Sequence, residues 1–187
     1  MHPAVRQLTA LVPPPQPPAP RDWADIEKRL GSRLPDDYKE LVDVYGGGIL
    51  DEEIRLLEPD CADPDYDLIG MARERAEILG DLWAGGEPKP PELLTCPDGA
   101  VDVLPFAYME GSGAYLYWIA RPGIDPDDWT VIFNEGRGPL WEHDDASAAE
   151  FLLGILTGGI TSFYFSGFPA EQHRFEPNAE IWSRRAD

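Results

Sequence analysis

The sequence predicts an α+β fold: one domain with a central, mainly antiparallel sheet flanked by helices. The first half carries apolar stripes at helical spacing, closed by residues that start and stop helices. Residues 101–135 pack three strand-like runs between short turns, the pattern of a meander rather than of alternating strands and helices. A content of 43% hydrophobic and 11% aromatic residues in 187 suffices for one sizeable core.

The elements follow in order. Residues 1–20 hold seven prolines, and "PPPQPP" at 13–18 reads as an extended polyproline tether. The expected organisation is a flexible arm over 1–20, the α+β domain over 21–160 and a C-terminal extension over 161–187. In "DIEKRLGSRLPDDYKELVDVYGGG", residues 25–48, Trp23, Ile26 and Leu30 share one helical face. Asp22 caps that helix and Gly31 ends it. Pro35 suits the first turn of a second helix, with Asp36 and Asp37 near its positive end. Tyr38, Leu41, Val42 and Tyr45 form its stripe, and Gly46 stops it.

The triplet Gly46-Gly47-Gly48 is not a phosphate loop. Such a loop follows a strand, precedes a helix and supplies a lysine. Here the glycines follow a helix and lead into Asp51-Glu52-Glu53, which repels phosphate.

Next, "IRLLE" at 54–58 reads as a strand. A helix carries Leu68, Met71, Ile78, Leu79 and Leu82 at helical spacing, and Arg75 interrupts its stripe, which places that helix partly in solvent. A proline- and glycine-rich loop leads to the strands at 101–109, 114–120 and 129–135. Ser147-x-x-Glu150 is a capping box before Phe151, Leu152, Ile155 and Leu156. That helix stops at Gly158-Gly159, and the tail adds an edge strand.

Thirty-five acidic residues against fifteen basic ones give a net charge of −20. Such a surface repels nucleic acid and anionic membrane and attracts a basic partner. No apolar run reaches membrane-spanning length and no signal-peptide core is present, so the expected location is cytoplasmic. Cys61 and Cys96 form no Cys-x-x-Cys, so neither zinc nor a disulfide framework is indicated. His2, His143 and His173 are scattered and read as terminal or surface residues. Asp63, Asp65, Asp67 and Glu74 match positions 1, 3, 5 and 12 of a calcium loop, but Leu68 replaces its glycine. A helix cap is the better reading. No catalytic constellation and no cofactor motif is visible.

Leu34-Pro35-x-x-Tyr38 followed by Gly46-Gly47-Gly48, with Trp23, "LP" at 104–105, "YWIA" at 117–120 and "WTVIFNEG" at 129–136, resembles the SUKH superfamily. The resemblance covers roughly residues 22–158. It includes the yeast cell-wall-assembly regulators and bacterial immunity proteins. It implies an α+β fold without enzymatic activity. Its bacterial members bind and block toxins, many of them nucleases. The expected function is therefore an immunity protein that occludes a basic toxin domain, with a regulatory interaction module as the alternative. Charge places the partner surface at Asp51, Glu52, Glu53, Asp63, Asp65, Asp67, Asp125, Asp127 and Asp128. Strand parity adds Tyr115 and Tyr117, or Trp118, as aromatic anchors on any open sheet face.

Overall fold

The computed structural model describes residues 1–94, 102–136, 138–165 and 172–185. Cys96 and part of the expected strand at 101–109 lie outside them. Seven helices are described: α1 Pro3–Leu11, α2 Trp23–Leu30, α3 Asp36–Tyr45, α4 Leu68–Ala84, α5 Pro91–Leu94, α6 Ala148–Thr157 and α7 Asn178–Arg185. Seven strands form one sheet: β1 Gly48–Leu50, β2 Ile54–Leu56, β3 Asp102–Met109, β4 Tyr115–Ala120, β5 Val131–Asn134, β6 Trp141–Asp144 and β7 Phe175–Pro177. Their order is β6-β5-β4-β3-β2-β1-β7, and every neighbouring pair is antiparallel. The α+β architecture is thus as the sequence predicts.

Strand alternation sends side chains to two faces. Phe106, Leu116, Trp118, Val131 and Phe133 point to one, under α1, α3 and α6. Val103, Tyr117, Ile119 and Ile132 point to the other, where Leu79 of α4 meets them. Both faces are therefore covered by helix.

The helix ends form as their residues dictate. Asp22 accepts from the Asp25 amide at 3.1 Å, and Gly31 adopts φ +83°. Ser147 and Glu150 close the full capping box. Asp37 is buried and reaches across to another helix, accepting from the Ala149 amide at the start of α6 at 2.8 Å. Leu34 and Tyr38 are fully buried, and the Tyr38 hydroxyl donates to the Leu57 carbonyl at 2.8 Å. The Leu-Pro-x-x-Tyr motif is a core motif.

The two ends differ from expectation. Residues 3–11 are not a flexible arm but a helix, with Ala4, Val5 and Leu8 buried against α6 and α3. Proline at its first position is the usual entry to a helix. The tether that follows is pinned. Val12 is buried and Pro15, Pro18 and Arg21 are half-buried, with exposed residues between them and a bend at the exposed Gln16. Arg21 holds Glu58 at 2.5 Å and the Val42 carbonyl at 3.2 Å. At the other end the extension supplies the expected edge strand, β7, and then α7. Strands β1 and β6 were not foreseen.

The β1–β2 turn is strained. Asp51 and Glu52 sit at φ +51° and +62°, where a side chain is disfavoured, and the Glu53 amide closes the turn on the Leu50 carbonyl at 2.9 Å. Glu52 is exposed. Glu52→Gly is expected to stabilise the protein by about 0.5–1 kcal/mol, because relief of that strain exceeds the entropy glycine adds to the unfolded chain. A rise in the denaturation midpoint at constant slope checks this.

Six of the seven tyrosines are held neutral by burial, their phenols pushed above the ordinary value of 10.0. Their contribution is complete below about pH 10, where both states keep the proton. Above it the unfolded chain ionises first, and stability falls as pH climbs toward the raised folded values. Tyrosinate absorbance at alkaline pH is therefore expected to rise together with loss of tertiary structure.

Candidate functional site

The face under α4 carries a transverse row of aromatic and arginine side chains. Arg55 of β2 lies opposite Tyr108 of β3, Tyr108 opposite Tyr115 of β4, Tyr115 opposite Asn134 of β5, and Asn134 opposite Trp141 of β6. Side chains in directly opposed positions on one face touch. The rings continue beyond the sheet. Trp182 of α7 stacks on Tyr66 at 6.4 Å, Tyr66 on Tyr108 at 6.1 Å, and Tyr108 meets Tyr115 at 5.4 Å. Tyr115 then meets Tyr117, and Tyr117 meets Trp141.

Two buried guanidiniums are lodged in this row. Arg55 lies 4.3 Å over the Tyr66 ring, donates to Glu110 at 2.7 Å and to the Asn178 side chain at 2.8 Å. Arg75 of α4 lies 4.3 Å over the Tyr115 ring and donates to the Tyr117 hydroxyl at 3.0 Å and the Gly136 carbonyl at 2.7 Å. Each cation–π contact is worth about 0.5–2 kcal/mol, the more so when desolvated. The break that Arg75 makes in the apolar stripe of α4 does not mark exposure, as the sequence suggests: the residue is 5% exposed and ties helix to sheet.

Carboxylates rim the row. Burial pushes the Tyr115 phenol up, Arg75 pulls it back, and the nearby carboxylates of Glu74 and Asp65 add to the rise. Burial likewise raises Tyr108, with Glu110 contributing. Tyr66, Tyr108, Tyr115, Trp141 and Trp182 remain half-buried, while Asp65 and Glu74 are exposed. The arrangement offers aromatic faces and negative charge together, the chemistry that receives guanidinium or ammonium groups.

The other expected contact residues divide. Tyr117 and Trp118 are buried at 0% exposure, so the aromatic-anchor reading fails for both: helices cover both sheet faces. Asp63 accepts from the Asp65 amide at 3.2 Å, and Asp67 caps α4 through the Gly70 amide at 2.7 Å. Their carboxylates do the work of caps, and no group of three or more potential metal ligands gathers among the described residues. Asp125 and Asp127 clamp Arg33, and Asp127 also accepts from the Asp36 amide at 2.6 Å. That pair joins the β4–β5 turn to α3. Asp128 and Glu52 are exposed, whereas Glu53 is half-buried.

Asp51 is a structural surprise. Its carboxylate meets His173 Nδ1 at 2.6 Å and the Arg174 amide at 2.7 Å. The His173 side chain is 3% exposed, so its reading as a surface residue is corrected. His143 lies against the Thr130 hydroxyl at 3.0 Å. Burial pushes the Cys61 thiol up to about 12, which makes it a poor nucleophile. Arg55, Tyr66, Tyr108, Trp141 and Trp182 went unnoticed in the sequence. Only the alternation in 115–120, which singles out Tyr115 and Tyr117, points toward the row.

No helix among the described residues is long and apolar enough to cross a membrane. Neither a curated protein nor a solved structure matches the chain. The model of the SMI1 / KNR4 family (SUKH-1) matches residues 17–154, well over half of the sequence, and the chain belongs to that family.

Proposed function

We propose that the chain is a non-enzymatic binding protein for a basic protein partner, and that this partner is a bacterial toxin domain, a nuclease by preference, which it neutralises by covering the active cleft. The observation that carries the reading is the aromatic row with its carboxylate rim, which already holds two guanidiniums of the chain's own. Family membership supports an interaction module of the immunity or regulatory kind. The net charge of −20 supports electrostatic steering toward a basic surface.

Capture from a lysate of the source cell tests the proposal. A basic, toxin-like polypeptide is expected to be retained at low salt and released at high salt. The Asp65→Lys/Glu74→Lys double variant, altered at two exposed positions, is expected to fold normally and bind at least about tenfold more weakly. It should also fail to rescue growth of cells expressing the toxin. Retention of housekeeping factors alone would replace the immunity reading with a regulatory one. Unchanged affinity in the double variant would remove the row from the interface.

A further inference from the structure

A second site lies away from the aromatic row and does not depend on it. At the C-terminal end of α6 there is a cleft of about 530 Å³. Ile155, Ile160 and Phe165 supply apolar wall, and Thr161, Ser162 and His173 supply polar groups. His173 and Phe165 come from beyond the matched family segment, so this cleft is built where the chain's C-terminal extension returns to the domain.

Three observations define its chemistry. The first is the Asp51–His173 pair, whose side chains are 4% and 3% exposed. Asp51 engages Nδ1, so in the neutral imidazole the proton sits on that nitrogen and Nε2 keeps its lone pair. Nε2 has no hydrogen-bond partner among the described residues. The second is the end of α6, whose last carbonyls give the cleft a partial negative charge. The third is the strained turn that presents Asp51, with two consecutive non-glycine residues at positive φ. Strain of this kind collects where a side chain must be held in place.

We propose that the cleft binds a small amphiphilic primary amine. The ammonium donates to His173 Nε2 and to the Thr161 and Ser162 hydroxyls, near the negative end of α6. The alkyl or aryl body lies along Ile155, Ile160 and Phe165. Among the described residues no lysine or arginine lines the cleft, so a carboxylate of the same shape finds no cation there to pair with and meets the field of a protein with net charge −20.

Titration of the full chain with n-hexylamine, 2-phenylethylamine, 1-hexanol and hexanoate, followed by amide NMR shifts and calorimetry, tests this. Both amines are expected to bind with a Kd on the order of 1 mM or tighter, shifting resonances of residues 155–162 and 173. Hexanol should bind at least several-fold more weakly and hexanoate not at all. His173→Ala should weaken amine binding about tenfold or more. Because that change also loosens the tie to Asp51, Thr161→Val/Ser162→Ala provides a variant that leaves the pair intact, and a several-fold loss is expected there too. Absence of amine-induced shifts in 155–162, tighter binding of hexanoate than of hexylamine, or full affinity in both variants would overturn the assignment.

Discussion

Trp118→Ala is expected to destabilise the protein by about 3–5 kcal/mol, the range for truncating a fully buried large aromatic. Trp118 is 0% exposed and stands where β4 meets β3 and α3. Its ring meets Tyr38 of α3 edge-on at 4.8 Å, stacks on Phe106 of β3 at 4.9 Å and tilts against Trp129 at 6.3 Å. The cavity left by alanine would separate α3 from the sheet, and a domain with ordinary stability of 5–15 kcal/mol has little margin for that. Trp118→Phe should cost far less. The indole Nε1 is buried without a hydrogen-bond partner among the described residues, so phenylalanine removes an unsatisfied donor while keeping most of the ring contact. Denaturant midpoints for the two variants, read against an unchanged slope for the phenylalanine form, separate packing from polarity.

Gly48→Ala is expected to cost about 1–3 kcal/mol and to act locally on the C-terminal extension. A Cβ at this position would press on the Glu176 carbonyl and come within 2.5 Å of the Phe175 ring. Both belong to β7, which pairs β1 over only three residues. The strand has to move, and with it the contact between the Asn178 amide and the Gly47 carbonyl, 3.0 Å in the native protein. Faster amide exchange in 173–178, with the β3–β5 amides still protected, is the expected signature. Uniform loss of protection would instead mark the extension as part of one cooperative unit. The same geometry explains the glycine triplet physically. Gly46 turns the chain out of α3 at φ +72°, and Gly47 and Gly48 let Glu58 and β7 approach the backbone.

Much of the fold was legible in the residues. Caps at Asp22 and Ser147, stops at Gly31 and Gly158, and the stripes between them act within a few residues, so sequence reveals them. Helix α1 was hidden by the prolines after it, although Pro3 followed by Ala4, Val5 and Leu8 carries the helical signal. Strands β1 and β6 are short, and partners distant in sequence define them. The site was less legible for the same reason. Arg75 looks like a polar intrusion until Tyr117 and the Gly136 carbonyl arrive from two strands away to receive it. His173 looks isolated until Asp51 comes to meet it. Charge composition indicated the sign of a partner but not its address, because several carboxylates already serve as caps and clamps.

The placement of β7 beside β1 has a consequence for synthesis. Strands β3 to β6 pair with neighbours close in sequence and can form as soon as that stretch leaves the ribosome. The β1 edge must wait for residues 175–177, which emerge long after β1 itself. Throughout that interval it presents open N–H and C=O groups, next to the acidic turn Asp51-Glu52-Glu53. Like charges on that turn oppose edge-to-edge pairing of two such unfinished sheets until β7 covers the edge.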